Sequence, residues 1–294
     1  MNIQEFDEQL TALVVKAIEE KSIAPWRKPW TGGLVGPTNY LTKAEYQGAN
    51  FMSLAIHEMC LEYRTSFWVG FNQCNSLGGR IKAGEHGVAI AIPAKVKIGQ
   101  NEKEEDIFAL RFKHATVFNL DQTTLELPEI PERLPVDTLP ALAAIVDGYQ
   151  NRPEIYEKEQ GRAFYNMVTD SITLPAAHQW SSPEDRAYTT LHELTHSTGH
   201  ESRLARFKEE KTKPAEFGSG TYAFEELVAD IGAQLLMDRA GIPVDLENSI
   251  AYLAGWLKPL RDDVTLLRKA SQEAFKAANY IAAIHVPDPQ LVAA

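Results

Sequence analysis

The chain has 294 residues, 44% of them apolar and 23% charged, which excludes a disordered polymer and leaves room for one large domain or two. It has no apolar run of the length (roughly eighteen residues) a membrane-spanning helix needs, and Cys60 and Cys74 are too few for a disulfide scaffold. The formal charge of −11 is unevenly spread: residues 21–99 carry nine Lys or Arg against four Asp or Glu, and residues 131–294 carry sixteen against twenty-four.

A basic first half joined to an acidic second half points to two units with different partners. Met1 to Glu8 lacks the basic and apolar regions of a secretory signal, and the two cysteines read as thiols, so a cytoplasmic location is expected.

In chain order, Ile3–Lys21 reads as an amphipathic helix with Phe6, Leu10, Val14 and Ile18 on one face. Pro25 ends it, and a Gly- and Pro-containing loop follows to Asn39. Asn50–Tyr63 is a second helix candidate and Phe67–Leu77 a short third. Val88–Ile92 and Ile107–Phe112 are strand-like and form a hairpin across a polar connection, with Ala115–Asn119 as one more strand. Pro128, Pro131, Pro135 and Pro140 then punctuate an aperiodic stretch, the best domain boundary in the chain. Beyond it come a helix over Leu139–Arg152 and a hairpin over Ala163–Leu174 that turns at Thr169-Asp170. A helix capped by Ser182 with Pro183 at its first position stops at Gly199. A polar, Gly-rich loop from Phe207 leads to helices over Tyr222–Ala240, Ser249–Leu257 and Asp262–Ile284.

The helix behind Ser182 carries His192-Glu193-Leu194-Thr195-His196. Two histidines four apart share a helix face and can bind one divalent metal, with Glu193 beside them as the catalytic base. A catalytic metal of this kind needs a third protein ligand and an open position. Ser202 stands where a third histidine of the pattern His-Glu-x-x-His-x-x-Gly-x-x-His would fall. The third ligand is therefore expected from Glu225-Glu226-Leu227-Val228-Ala229-Asp230. Glu226 is the leading candidate, with Asp230 one turn on to hold the outer nitrogen of a ligand histidine. Glu225, about 100° around the helix, is the competitor. The strand Ser171–Leu174 is expected to pair with an extended peptide substrate.

In the basic half, Pro25-Trp26-Arg27-Lys28-Pro29-Trp30 places two tryptophans around two cations. Asn39, Tyr40, Lys43, Tyr46, Asn50, Phe67, Trp68, Phe71, Gln73, Arg80 and Lys82 continue the mixture of rings, cations and amides. Single-stranded nucleic acid is bound in this way, bases stacking on rings while cations follow the phosphates. His57, His86 and His114 have no ligand spacing and read as structural.

Pro-Trp-x-x-Pro-Trp, Asn39, Tyr46-x-Gly48-x-Asn50, Lys82-x-Gly84-Glu85-x-Gly87 and Val117-Phe118-Asn119-x-x-Gln122 together resemble the single-stranded-DNA-binding domain of ArdC-type antirestriction proteins. His192–His196 with Gly199-His200, and Tyr222-Ala223-x-Glu225-Glu226-Leu227-Val228-Ala229, resemble their zincin-like metallopeptidase domain. Family members often have Trp where Ser197 stands and Glu where Asp230 stands. The resemblance implies an α+β protein: a small α+β DNA-binding domain (1–127), a Pro-rich linker (128–136), and a mostly helical, gluzincin-like domain with a small sheet (137–294). It further implies a plasmid protein that shields single-stranded DNA from host restriction endonucleases, delivered to the recipient cell during conjugation. The expected cofactor is one divalent metal, zinc or alternatively manganese. A true metallopeptidase localised by its DNA-binding half, and an acidic DNA mimic, are the rival functions.

Overall fold

The first apolar stripe folds as helix α1 (Ile3–Lys21) in a computed structural model that describes residues 2–22, 24, 36–100, 106–129, 136–207, 220–243 and 250–284. A capping box starts it: Asn2 Oδ1 accepts from the Glu5 amide and a Glu5 carboxylate oxygen accepts from the Asn2 amide, each at 2.9 Å. Phe6, Leu10, Val14, Ala17 and Ile18 form its buried stripe.

The chain continues through β1 (Thr38–Asn39), α2 (Gly48–Leu61), β2 (Phe67–Gly70), α3 (Phe71–Ser76), β3 (Val88–Gln100) and β4 (Asp106–Asn119). The four strands make a sheet in the order β1-β2-β4-β3, with only β1 and β2 parallel. The segment expected as one short helix over Phe67–Leu77 is instead a strand and then a helix. Its first residues alternate between the two faces of the sheet: Trp68 packs with Leu54, Val88, Ile90 and Val117, whereas Phe67 and Val69 pack with Cys74 and Leu120. The expected hairpin forms, but Ala115–Asn119 is the end of β4 rather than a separate strand, because β4 stays paired with β3 from Val117 to Asp106.

The second half contains α4 (Thr138–Gly148), β5 (Glu154–Lys158), β6 (Phe164–Asn166), β7 (Ser171–Pro175), α5 (Pro183–Ser197), α6 (Gly220–Ala240), α7 (Ile250–Asp262) and α8 (Leu266–Ile281). The β6–β7 hairpin turns through Asp170, which takes a left-handed φ of +46°. Strand β5, polar along most of its length, was not anticipated. It pairs with β7 from the other side, giving the order β5-β7-β6. This corrects the expectation for Ser171–Leu174: β7 has neighbours on both edges, and no peptide can add to it.

The largest buried cluster unites α1 and α2 with α4–α8. Phe51 of α2 meets Phe275 of α8 with ring centroids 5.0 Å apart. Asp7 of α1 accepts from Arg268 of α8 at 2.6 Å. Gly36 is required where the chain crosses this contact, because its φ is +48° and a Cβ there would lie 2.1 Å from Phe51. Among the described residues no helix is long and apolar enough to cross a membrane.

Candidate metal centre

Helix α5 begins as its sequence demands. Ser182 Oγ accepts from the Asp185 amide at 3.0 Å, Pro183 takes the first position, and Glu184 and Asp185 occupy the first turn. Ala187, Leu191 and Leu194 are buried on one side, which turns His192 and His196 toward α6. Gly232 lets the two helices approach: a Cβ there would lie 2.5 Å from Thr195 Cγ2.

Close approach brings three donors together. His192 Nε2 and His196 Nε2 are 3.1 Å apart. Glu226 Oε2 is 3.6 Å from the first nitrogen and Glu226 Oε1 is 3.7 Å from the second. One ligand atom from each of His192, His196 and Glu226 lies within 4.8 Å of the others. The outer nitrogens face carboxylates: His192 Nδ1 is 3.2 Å from Asp230 Oδ1, and His196 Nδ1 is 3.3 Å from Glu225 Oε1. With protons on those outer nitrogens, both inner lone pairs point at one location. Two nitrogens at about 2.05 Å from a tetrahedral metal would be separated by about 3.3 Å. The donor set fits a divalent cation.

The two adjacent glutamates are thereby separated. Glu225 is turned to the outer side of His196, where Arg206 binds both its oxygens, Nε to Oε2 at 3.1 Å and Nη2 to Oε1 at 2.7 Å. Arg206 also donates to Thr198 Oγ1 and the Thr195 carbonyl, tying the carboxylate to the end of α5. Burial works to raise the Glu225 pKa, but Arg206 and His196 bring it below the usual carboxylate value. Burial opposes ionisation of Glu226 too, and the two histidines bring its pKa down. Burial likewise pulls His192 down, yet the Asp230 and Glu226 carboxylates carry it up to about 10. Sequence reasoning missed Arg206; only the fold places it there.

A cleft of about 680 Å³ opens beside the donors, lined by His192, Glu193, Glu226, Tyr222, Tyr252 and Trp256 among others. Glu193 is 8% exposed and borders this space. Burial, then the neighbouring Glu226, push the Tyr222 hydroxyl up to about 12. His200 stands outside the cluster, its Nδ1 bonded to Ser202 Oγ at 2.8 Å.

The expected DNA-binding residues divide into three groups. Trp26, Arg27, Lys28 and Trp30 lie outside the described residues. Lys43, Arg80 and Lys82 are exposed and Tyr40 is half-buried. Lys43 Nζ sits 4.0 Å from the centre of the Tyr40 ring. Phe71, at the start of α3, is 56% exposed.

The third group is committed to the fold. Trp68 is fully buried and donates from Nε1 to Glu58 at 2.5 Å, which corrects its expected role: no ring face is available to a base. Asn50 exchanges two bonds with the Ala91 backbone, at 2.8 and 2.9 Å, and so pins β3 to α2. Asn39 accepts from the amides of Leu41 and Thr42 and donates to Tyr46 and Gln73. Asn39, Tyr46, Asn50 and Gln73 thus hold the loop after β1, the start of α3 and the β3–α2 contact.

A His-Glu-x-x-His helix joined to a glutamate from the following helix defines a zincin-like metal protein. Comparisons extend this. The family described as zincin-like metallopeptidase matches residues 149–273, and that described as the N-terminal domain of anti-restriction factor ArdC matches residues 4–118. The crystal structure of antirestriction ArdC protein from plasmid R388, metal-free, superposes with a TM-score of 0.76 at 32% identity, over 96% of this chain and 99% of that one. Its Mn(II)-bound structure gives 0.74 at 32% identity, over 95% and 97%. The chain belongs to the ArdC antirestriction family, and a divalent metal, zinc or manganese, is its cofactor. Two proteins of Escherichia coli called DNA primase TraC are 31% and 33% identical across 95% and 88% of this chain. The chain spans only 27% and 19% of their lengths. Uncharacterized protein y4eC of Sinorhizobium fredii is 25% identical over 93% of this chain and 90% of its own length.

Proposed function

We propose that this protein binds single-stranded DNA without strong sequence preference and shields it from restriction endonucleases, while its second half holds one divalent metal. The reading rests chiefly on the end-to-end likeness to the R388 antirestriction protein. The exposed cations Lys43, Arg80 and Lys82, with Lys43 over the Tyr40 ring and Phe71 exposed, supply charge and rings of the kind such a strand requires. Residues 1–127 carry the DNA surface and residues 137–294 the metal. Transfer with the strand during conjugation fits the plasmid setting of that relative.

In this reading His192, His196 and Glu226 are the metal ligands, Asp230 and Glu225 orient the two imidazoles, and Glu193 is the base. When bound, the metal supplies a Lewis acid that polarises a carbonyl and lowers the pKa of water from about 15.7 to about 7. Glu193 takes the proton of the attacking water and returns it to the departing amine. The 680 Å³ cleft bordered by Glu193 and Glu226 favours a second reading, cleavage of a host or plasmid protein such as the endonuclease itself. With β7 enclosed, β5 and β6 are the edges of this sheet, and β6, which follows Ala163 of the cleft lining, is the edge along which an extended substrate would lie in that reading.

The test is protection of single-stranded and duplex DNA by the full chain, its Glu193→Gln variant, and Lys43→Glu combined with Arg80→Glu. Protection equal to wild type in Glu193→Gln, with at least a tenfold loss of strand affinity and a shallower salt dependence in the double variant, is expected. Protection lost with Glu193→Gln but kept by the double variant would transfer the activity to the peptidase reading.

A further inference from the structure

Asp230 lies one turn beyond Glu226 on α6, and the structure shows what holds its side chain in place. Its carboxylate is nearly enclosed, with 6% of the side chain exposed. Tyr188 of α5 donates its hydroxyl to Oδ1 at 2.6 Å. Tyr252 of α7 donates its hydroxyl to Oδ2 in a short hydrogen bond. His192 Nδ1 lies 3.2 Å from Oδ1. Three helices therefore meet on one carboxylate. Neither tyrosine adjoins the His-Glu-x-x-His pentad or the Glu225–Asp230 run within a recognised motif.

We infer that Tyr252, with Tyr188, is a positioning residue for the metal: the two phenols fix Asp230 against His192 and so set the ring and tautomer with which His192 meets the ion. This rests on the reading that His192, His196 and Glu226 are the ligands. The chemistry is that of an outer-sphere carboxylate, which raises the donor strength of an imidazole only while it is itself held in position. Phenol-to-carboxylate bonds are charge-assisted and strong.

Tyr252 also forms part of the cleft wall. Its ring lies 6.2 Å from that of Trp256, one turn along α7, and Gly255, Trp256 and Pro259 border the same cleft. Tyr252 thus belongs both to the cleft wall and to the grip on Asp230.

The test is Mn(II) titration of the full-length protein, reading free Mn(II) by electron paramagnetic resonance, with urea unfolding of the metal-free protein alongside. Tyr252→Phe removes one hydroxyl and should raise the Mn(II) dissociation constant at least tenfold. In an Asp230→Asn background the same substitution should change it less than twofold, because the group it positions is gone. Leu260→Ala, a fully buried packing residue on the same helix, is the structural control: it should lower the urea midpoint and leave Mn(II) affinity within twofold. Tyr252→Phe within twofold of wild type, or an equal loss in both backgrounds, would overturn the inference. Mn(II) binding by wild type that His192→Ala leaves unchanged would instead overturn the ligand assignment beneath it.

Discussion

Replacing Gly232 by Ala tests whether the approach of α5 to α6 builds the metal centre. The added Cβ would sit 2.5 Å from Thr195 Cγ2 and 2.9 Å from Thr195 Oγ1. Thr195 is fully buried and its hydroxyl is bonded to the Leu191 carbonyl at 2.8 Å, so it cannot rotate away. Ordinary contact begins near 3.4 Å, and the helices must part by roughly 0.9 Å. Two effects then compete. Alanine is favoured over glycine inside a helix by about 1 kcal/mol. Overpacking a tight contact costs about 1–3 kcal/mol. The net expectation is a loss of about 0–2 kcal/mol, read by urea unfolding of the metal-free protein. Metal binding should suffer more, because Thr195 adjoins His196, Gly232 follows Asp230 closely, and ligand distances tolerate only about 0.2 Å. Mn(II) affinity is expected to fall at least tenfold. Greater stability together with unchanged Mn(II) affinity would refute the argument that this contact sets the ligand geometry.

Trp68→Phe should lower stability by removing the bond to Glu58 while leaving strand affinity alone, since the ring is buried; weaker DNA binding at unchanged stability would contradict this. Arg206→Ala strips the partner from the nearly buried Glu225 and should cost about 3 kcal/mol. Combining it with Glu225→Gln should recover much of that loss, as calorimetry or denaturant titration can show. Burial raises Glu58 to about 8, against the donors Trp68 and Ser66, which favour its charged form. A raised carboxyl favours the folded state fully below its ordinary value of 4.5, and the contribution is lost as pH climbs from there through about 8. Glu58→Gln should therefore flatten the decline in stability over that window; a slope identical to wild type would show that Glu58 is already ionised in the fold.

Local chemistry was legible where a motif is complete within one helix turn or one hairpin. The cap at Ser182, the His192–His196 spacing and the shared face of Glu226 and Asp230 needed no knowledge of the remainder. The β3–β4 and β6–β7 hairpins were visible for the same reason. Strand β5 escaped because Glu154–Lys158 has no apolar run, and Phe67–Gly70 was read as helix because four residues are too few to separate the two periods. Trp68 shows the limit most plainly. A tryptophan among cations has the composition of a stacking platform, and only the position of α2 against the sheet decides that its ring faces inward.

The sequence by itself determined that two histidines share a helix face with a glutamate beside them, that a carboxylate-rich helix follows, and that rings and cations crowd the first half. Interactions within a few residues suffice for that. Tertiary structure alone decided which glutamate turns to the inner nitrogens of the histidines, since the Gly232–Thr195 contact sets how α6 meets α5 and Arg206 holds Glu225 at the outer nitrogen of His196. It also decided that Tyr188 and Tyr252, 64 residues apart, meet on Asp230. Such meetings depend on how three helices pack, and no spacing along the chain encodes them.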